Sequence, residues 1–268
     1  MVTSLLIGFI SSIIIAFLAY SRKSLSQSGV IGTIIVGTAI FGFGGSAWWV
    51  LLIAFFVSAS ALSHVKKAEK AEVEAEFSKG SQRDIGQVFA NGGLAALIAV
   101  VYGFLPSPWL WAAFAGTMGT VNADTWATEL GILSKKAPRL ITNGQIVAAG
   151  TSGGITTFGT LAALAGAVFI GLIGASLTIA EGISQAIILL LAATIGGLGG
   201  ALFDSLLGAT VQQIYLCDRC NKETERTIHH CGQATRPLRG WAWMNNDAVN
   251  FISSIAGATL AVMVWLIL

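Results

Sequence analysis

Residues 184–210 read SQAIILLLAATIGGLGGALFDSLLGAT, an apolar run that carries a single charge, at Asp204. A helix needs about 20 mostly apolar residues to cross a bilayer, and this run is long enough. Seven similar segments occur elsewhere in the chain. The second and fifth of the eight are short and glycine-rich, which predicts tilted, broken or partly spanning helices. The segments cover about residues 2–20, 29–45, 46–62, 86–104, 107–121, 149–175, 184–210 and 247–267.

The composition of the whole chain also indicates a membrane protein. Hydrophobic residues make up 54% of the 268 residues and charged residues 10%, and the mean hydropathy is +0.77. Soluble domains carry about 25% charged residues, so a soluble protein is nearly excluded. A formal net charge of only +2 argues against a nucleic-acid partner. We predict an all-α fold, a polytopic membrane helix bundle of about eight transmembrane helices, in which residues 1–268 form a single transmembrane domain.

The basic residues are confined to alternate connections between these segments. All 15 lysines and arginines fall in the first, third, fifth and seventh connections, whereas Glu181 is the only charge in the even-numbered ones. Cytoplasmic loops retain lysine and arginine. The pattern therefore predicts an integral protein of the prokaryotic plasma membrane with its basic loops in the cytoplasm and both termini outside. For most of these residues, topology alone explains the charge about as well as a role in binding.

A polar cluster precedes and opens the fourth segment. Lys79 and Arg83 lie just before it. Asp84, Gln87 and Asn91 then follow at spacings of three and four residues, which place them on one helical face. That face could contact a substrate, or Asp84 could simply cap the start of the helix. Both interpretations carry similar weight.

A second polar cluster follows the fifth segment. Asp124 lies one helical turn before Thr128, and Thr125 lies one turn before Glu129, with Asn122 just upstream. Two carboxylates at the end of an apolar run predict a Mg²⁺ site, because Mg²⁺ prefers oxygen ligands. A helix cap or a polar contact between helices is the alternative. We give it less weight because no basic residue lies near enough in sequence to pair with both carboxylates.

The sixth segment opens with the glycine-rich run Gly150, Thr151, Ser152, Gly153 and Gly154. Backbone N–H groups of such a turn at a helix N-terminus can bind a phosphate. The run is not a Walker A loop, because it lacks the Gly-Lys-Ser/Thr ending. Glycine and serine are also ordinary residues at helix contacts, so the signal is weak by itself.

Asp204 is the most informative charge, because it lies inside an apolar segment between glycine pairs and a leucine pair. It is therefore predicted to face the bundle interior, where an unpaired carboxylate would cost several kcal/mol. A metal ion, an arginine or a proton must compensate it. The other polar residues at nearby helix ends are Ser205, Gln212, Asn246, Asp247 and Asn250.

These clusters all fall at predicted cytoplasmic helix ends, so we expect them to converge. Carboxylates that hold Mg²⁺, together with cations that stabilise phosphoryl oxygens, are the combination that phosphoryl transfer requires. The acidic nest would comprise Asp124, Glu129, Asp204 and Asp247, and the surrounding cations would be Lys79, Arg83 and Arg139.

A cytoplasmic loop over residues 211–244 contains every cysteine of the chain. Cys217 and Cys220 form a C-x₂-C pair, and Cys231 follows ten residues later. Three thiolates and one imidazole suffice for tetrahedral Zn²⁺. His230 is the predicted fourth ligand, with His229 as the alternative. No coordination position is left open, so the predicted zinc-knuckle-like site is structural rather than catalytic; free thiols are the weaker alternative.

Six of these motifs together resemble one integral-membrane family that was long catalogued as a domain of unknown function. That family includes vertebrate transmembrane protein 19 and the plant and cyanobacterial phytyl-phosphate kinase. The resemblance covers nearly the whole chain in order. The eukaryotic relatives lack the three cysteines, which again favours a structural zinc. The motifs span residues 79–92, 124–131, 138–142, 150–156, 204–212 and 245–250.

The resemblance implies a Mg²⁺-dependent prenyl-phosphate kinase. A nucleoside triphosphate, with CTP expected, would phosphorylate a lipid monophosphate such as phytyl or geranylgeranyl phosphate. Arg83 and the Gly150–Gly154 turn would meet the lipid phosphate. Asp124 and Asp204 would hold Mg²⁺, with Glu129 or Asp247 as second ligand or base. The remaining expected substrate contacts are Lys79, Asp84, Asn91, Asn122, Thr128, Arg139, Ser205, Gln212, Asn246 and Asn250.

The alternative function is a membrane transporter or lipid translocator, because glycine-interrupted helices with internal polar residues also suit a substrate path. Transport predicts polar residues across the membrane, whereas here nearly all are predicted on the cytoplasmic side. A non-enzymatic scaffold is weaker still, because it leaves Asp204 without a role. A homo-oligomer is compatible with the sequence.

Overall fold

The structure, a computed structural model, describes residues 1–66, 70, 73, 76, 77 and 82–268. Within these residues it confirms the predicted helix bundle and contains eight long α-helices. Seven of them, counted with their short terminal turns, are long and apolar enough to cross a membrane. The helices are α1 (Val2–Ser21), α2 (Gln27–Ala39), α3 (Ser46–His64), α4 (Ile85–Phe104), α5 (Pro108–Gly131), α6 (Thr157–Thr178), α7 (Ile183–Thr210) and α8 (Asn246–Ile267).

The second and fifth segments look alike in sequence, but the second forms an interrupted helix and the fifth forms a continuous one. As expected, α2 is broken: its α-helical part stops at Ala39 and a π-helical turn, Ile40–Gly44, completes it. The expectation of a short or broken helix is wrong for α5, because this helix runs on to Gly131 and is the most enclosed of the eight; it is also the one that is not apolar enough to count among the seven candidate spans. Ala112–Ala123 is buried throughout. Because α6, α7 and α8 surround it, α5 can carry threonine, asparagine and aspartate in place of a lipid-facing apolar surface.

Small residues allow the helices around α5 to approach closely. A methyl group on Gly119 would lie 2.7 Å from the carbonyl oxygen of Ala193, and one on Gly116 would lie 2.8 Å from that of Gly257. These contacts bring α7 and α8 against α5, as expected where membrane helices pack through glycine and alanine. The four helices α5–α8 therefore form the core that positions the site, whereas α1 to α4 cover one side of it.

The four odd-numbered connections meet at one end of the bundle, which we call the basic end. Arg83 N donates to Ser24 O at 3.0 Å, joining the first and third connections. Glu225 N donates to Glu76 O at 3.1 Å, joining the third and seventh. Ser152 Oγ donates to Gln212 Oε1 at 2.6 Å, joining the fifth and seventh. The restriction of lysine and arginine to the odd-numbered connections therefore identified the connections that lie together at one end of the bundle.

The basic end also holds short strands. The fifth connection contains a two-stranded antiparallel sheet, β1 (Arg139–Leu140) and β2 (Gly154–Ile155). The seventh contains a three-stranded antiparallel sheet in the order β4-β3-β5, made of β3 (Ile214–Cys217), β4 (Lys222–Thr224) and β5 (Arg236–Arg239).

The prediction that the sixth helix opens at about residue 149 is wrong, because α6 begins at Thr157. Gly150 and Gly153 have φ angles of +85° and +81°, which no right-handed helix contains. The glycine-rich run therefore forms a turn that leads into β2. Thr156 then caps the helix by accepting a hydrogen bond from Gly159 N.

Candidate functional site at the basic end

A large cavity of about 620 Å³ lies at the basic end. Its walls come from α4, α5, α6, α7 and α8 and from the third, fifth and seventh connections. This volume is typical of a site for a small molecule or cofactor. The predicted site residues that line it are Arg83, Asn91, Asp124, Thr128, Glu129, Gly150, Thr151, Ser152, Gly153, Gly154, Asp204, Ser205, Gln212, Asn246 and Asn250.

Asp124 and Asp204 bring carboxylates from two core helices into this cavity. They lie near enough for their charges to interact, and the charge of Glu225 also acts on Asp204. Ser253 of α8 donates a hydrogen bond to Asp204 Oδ2 at 2.9 Å. A hydroxyl group of the facing helix, which was not among the expected compensating groups, therefore stabilises Asp204 in part. Three acidic groups in one concave space form a region able to bind a cation.

Glu129 has a basic partner that is distant in sequence. Lys70 Nζ lies 2.5 Å from Glu129 Oε2 and also donates to Leu62 O at 2.7 Å. The side chain of Lys70 is fully buried. The sequence indeed holds no basic residue near enough to pair with both carboxylates, but Glu129 has a distant partner in Lys70 of the third connection.

We expect Lys70→Met to lower the free energy of unfolding by about 3 kcal/mol, because it removes the cation closest to a mostly buried carboxylate. Denaturant or thermal unfolding in detergent measures this loss. Adding Glu129→Gln to Lys70→Met should restore much of the stability. The exposed pair Arg236–Asp218 is the matched control, and Arg236→Met should cost less than about 1 kcal/mol. Equal losses in the two single variants would show that the Lys70–Glu129 pair is not a structural contact.

Arg83 is held at the edge of the cavity by its backbone and by two aromatic rings. Its guanidinium carbon lies 5.8 Å from the ring centroid of Phe55 and 5.7 Å from that of Phe56. Burial lowers the pKa of the Arg83 guanidinium, and the nearby charge of Glu129 opposes that shift. An arginine starts so far above neutral pH that it stays charged. The cavity therefore has one fixed cation at its α4 wall, and Lys135 and Lys136 add two from the fifth connection.

The glycine-rich turn lies against the end of α7. A methyl group on Gly153 would lie 2.4 Å from the backbone nitrogen of Ala209, so no larger residue fits there. The N–H groups of Thr151 and Gly154 donate to Ala148 O and Thr151 O, at 3.2 and 2.9 Å. Those two groups are thus engaged within the turn. The proposed cradle at a helix N-terminus is corrected to a turn that lines the cavity ahead of β2.

A hydrogen-bond chain connects this turn to the seventh connection. Ser152 Oγ donates to Gln212 Oε1, and Gln212 Nε2 donates to Glu225 Oε1 at 2.8 Å. Arg239 Nη1 donates to Gly208 O at 2.8 Å at the end of α7. Glu225 was missed by the sequence reasoning, because it lies in a loop with no helical spacing to predict its direction.

Four predicted site residues lie outside the cavity lining. Asp84 caps α4, since Asp84 Oδ1 accepts from Gln87 N at 2.9 Å, which is the structural alternative noted for it. Asn122 is buried and bonds Ser58 and Gly166, so it joins α5 to α3 and α6. Arg139 is exposed and donates to Gly144 O. Asp247 lies in the first turn of α8 beside the cavity.

One further prediction, Lys79, lies outside the described residues. The same holds for much of the charged stretch between α3 and α4. Among the described positions of that stretch, Lys70 contacts Glu129, Glu76 contacts the seventh connection, and Phe77 lines the cavity.

The cysteine-histidine loop forms a compact cluster beside the cavity. Ligand atoms of Cys217, Cys220, His229 and Cys231 all lie within 4.8 Å of one another. The histidine in this group is His229 rather than the predicted His230. His230 instead belongs to a second group with His229 and Glu76. Sequence spacing could not show which of the two adjacent histidines is the ligand, because the turn between Ile228 and Ala234 determines which ring faces the thiols.

Comparison with known proteins places the chain in a family. The family described as "Integral membrane protein DUF92" matches residues 10–258 of this chain. Protein PGR of Arabidopsis thaliana is 37% identical over 93% of this chain and 92% of its own length. An uncharacterized membrane protein of Methanocaldococcus jannaschii is 33% identical over 96% of this chain and 94% of its own length.

A third relative is Protein VTE6, chloroplastic, of Arabidopsis thaliana, which is 30% identical over 89% of this chain and 65% of its own length. No solved structure matches the chain. The family matched here confirms the resemblance carried by the six sequence motifs. The chain belongs to the integral membrane protein family DUF92.

Proposed function

We propose that this protein is a prenyl-phosphate kinase whose reaction takes place in the cavity at the basic end. The observation that carries the proposal is the placement of Asp124 and Asp204, from two different core helices, in one cavity with Arg83, Lys135 and Lys136. Carboxylates suit a metal-bound polyphosphate, and the cations suit phosphate oxygens. The resemblance to a family that contains phytyl-phosphate kinase supplies the chemical class of the substrate.

Asp124 and Asp204 are the residues that would hold Mg²⁺. The donor set fits this ion, because both offer only hard oxygen atoms and both face the same space. Glu225 lies near enough to Asp204 to add to the negative charge. When bound, Mg²⁺ would neutralise charge on the nucleotide phosphates. Glu129 belongs instead with Lys70 as a positioning pair at the end of α5.

A lipid substrate is supported by a second, apolar cleft of about 50 Å³ that adjoins the cavity. A cleft of this volume admits only the carbons nearest the phosphate, so the rest of a prenyl chain would lie outside it. This cleft lies between α1, α2, α3 and α4, and its surroundings include Ile15, Leu52 and Phe56. Arg83, Gln87 and Asn91 line both the cleft and the main cavity. A prenyl chain in the cleft would therefore place its phosphate beside the Arg83 guanidinium. Such a division between apolar tail and charged head is what a prenyl phosphate requires.

In the proposed reaction an oxygen of the lipid phosphate attacks the terminal phosphorus of the nucleoside triphosphate. The bond from that phosphorus to its bridging oxygen breaks, and a nucleoside diphosphate leaves. The attacking phosphate is already anionic, so no strong general base is needed. The chain contributes position and charge: Arg83, Lys135 and Lys136 attract and orient phosphate oxygens. CTP is the proposed donor, delivered from the cytoplasm, toward which the basic end is proposed to face.

The direct test is conversion of phytyl or geranylgeranyl phosphate to the diphosphate by the purified protein in detergent with radiolabelled CTP and Mg²⁺. Omission of Mg²⁺ should abolish the product. A parallel liposome assay measures movement of the same lipid phosphate between leaflets. Flux without phosphorylation would favour the translocator alternative and overturn the kinase.

Narrowing the apolar cleft should weaken binding of the lipid alone. We expect Ile15→Trp to raise the KM for geranylgeranyl phosphate roughly tenfold and leave the KM for CTP unchanged, because the larger ring enters the cleft. Ile14→Trp is the matched control on the same helix, since Ile14 is 54% exposed and does not line the cleft. An equal effect of the two variants, or none from Ile15→Trp, would place the prenyl chain elsewhere.

A further inference from the structure

We propose that Cys217, Cys220, His229 and Cys231 bind one Zn²⁺, and that this ion locks the seventh connection onto the third so that together they form a wall of the cavity. The proposal does not depend on the kinase reaction. Its two parts are the identity of the four ligands and the mechanical link from the metal to the cavity.

The spacing of the sulfur atoms favours a metal ion over a disulfide. Zn–S bonds of about 2.3 Å in a tetrahedron place two sulfur atoms about 3.8 Å apart. The sulfur atoms of a disulfide lie about 2.0 Å apart. Cys217 Sγ and Cys231 Sγ are separated by 3.7 Å, and all four ligand atoms lie within 4.8 Å of one another. The cluster therefore has the dimensions of a tetrahedral zinc site.

Two short turns bring the four ligands together. The first runs from Cys217, at the end of β3, to the start of β4, and Asn221 adopts a positive φ of +50° within it. The second turn reverses at Gly232, where φ is +83°, and His229 N donates to Gln233 O at 2.9 Å. Each turn presents a pair of ligands, Cys217 with Cys220 and His229 with Cys231. Paired turns of this kind fit a closed structural zinc site.

Glu76 explains why His229 is the ligand and His230 is not. His229 is 2% exposed, and its Nε2 lies 3.0 Å from Glu76 Oε2. Its Nδ1 accepts a hydrogen bond of 3.4 Å from the backbone N of Cys231, which places this nitrogen on the side of the cysteine turn. A carboxylate that accepts the far N–H of a metal-binding histidine fixes the tautomer and the direction of the ring. The His230 side chain is 45% exposed and lies 3.8 Å from Glu76 Oε1. Glu76 thus acts as a positioning residue for the metal site.

The same residue connects the metal site to the cavity. The backbone carbonyl of Glu76 accepts hydrogen bonds from Thr224 Oγ1 at 2.7 Å and from Glu225 N at 3.1 Å. Arg226 Nε donates to Phe77 O at 2.7 Å. Phe77 and Glu225 both line the cavity. Loss of the ion would release His229 from the thiolates and loosen this wall.

Metal analysis of the purified full-length protein tests the ligand assignment. We expect one zinc per chain. Exchange for Co²⁺ should give the visible absorption of a tetrahedral cobalt–thiolate site. His229→Ala should lose the zinc and this spectrum, and His230→Ala, its matched neighbour, should keep both. A protein without zinc, a mass showing a disulfide between cysteines, or loss of metal from His230→Ala alone would overturn the assignment. If a ligand variant fails to fold, the cobalt spectrum of the wild-type protein still tests whether a tetrahedral thiolate site is present.

Hydrogen exchange of the wild-type protein tests the link to the cavity. Removal of zinc with a chelator should speed amide exchange at Glu225 and in the peptide that contains Glu76 and Phe77, roughly tenfold or more. Peptides from α1 and α2, which lie away from the metal site, serve as the internal control. Re-addition of Zn²⁺ should restore protection. Unchanged exchange at Glu225 after complete metal loss would overturn the proposed lock, whatever the result of the kinase assay.

Discussion

Asp204→Asn and Asp124→Asn are each expected to reduce formation of prenyl diphosphate at least about a hundredfold. Each change removes a negative charge from the group that would hold the metal-bound nucleotide, and preorganised charge of this kind is worth about two to three orders of magnitude in rate. The asparagine amide keeps the shape of the carboxylate. Both variants should therefore fold, and the substitutions should mainly lower kcat. Initial rates with radiolabelled CTP, and titration of Mg²⁺ against rate, measure the effect.

Controls for these variants come from the same chain. Glu181 lies at the end of the bundle opposite the cavity, so Glu181→Gln should retain full activity. Ser253→Ala removes only the hydroxyl that donates to Asp204 and should cost far less than loss of the carboxylate. Turnover near the wild-type rate in both asparagine variants, with normal folding, would show that the cavity is not the site of phosphoryl transfer.

The sequence predicts the architecture well because membrane insertion leaves local signals. Segment length identifies the helices, and the restriction of lysine and arginine to odd connections identifies which connections share an end. The same reasoning finds Asp204, since a charge inside an apolar run must face the protein interior. It finds Asp124 as well, but it ends the fifth helix too early. Polar residues in a fully enclosed helix resemble a helix end when only hydropathy is considered.

Long-range contacts are what local patterns could not predict. Lys70 meets Glu129 across 59 positions, and Glu76 meets His229 across 153, through connections with no regular spacing. The turn at Gly150 is similar, because its positive φ angles depend on contact with α7 rather than on helix propensity. The choice between His229 and His230 depends on the pairing of a short turn. Apart from the end of α5, each missed feature involves the connections, where hydropathy carries little information.

Arg83 joins the two halves of the proposed substrate site. Its guanidinium lines the polar cavity, while Phe55 and Phe56, on which it rests, line the apolar cleft. Its backbone hydrogen bonds to Ser24 and Ser26 fix its position without using the side chain. The guanidinium adds a hydrogen bond of 3.4 Å to Ser60 Oγ and its contacts with the two rings, so a replacement should keep the apolar contact. No other described residue combines a fixed cation with both surroundings.

We expect Arg83→Met to lower kcat/KM for the prenyl phosphate about a hundredfold and to change the KM for CTP much less. Methionine keeps the apolar contact with the two rings but removes the charge that orients the lipid phosphate. Arg83→Lys should recover only part of the activity, because a single ammonium cannot bind two phosphate oxygens in one plane as a guanidinium does. Arg22→Met, at an exposed position in the first basic connection, is the control and should leave the kinetics unchanged. If Arg83→Met instead raised the KM for CTP and spared that for the lipid, the cation would serve the nucleotide, and the prenyl phosphate would have to bind nearer Lys135 and Lys136.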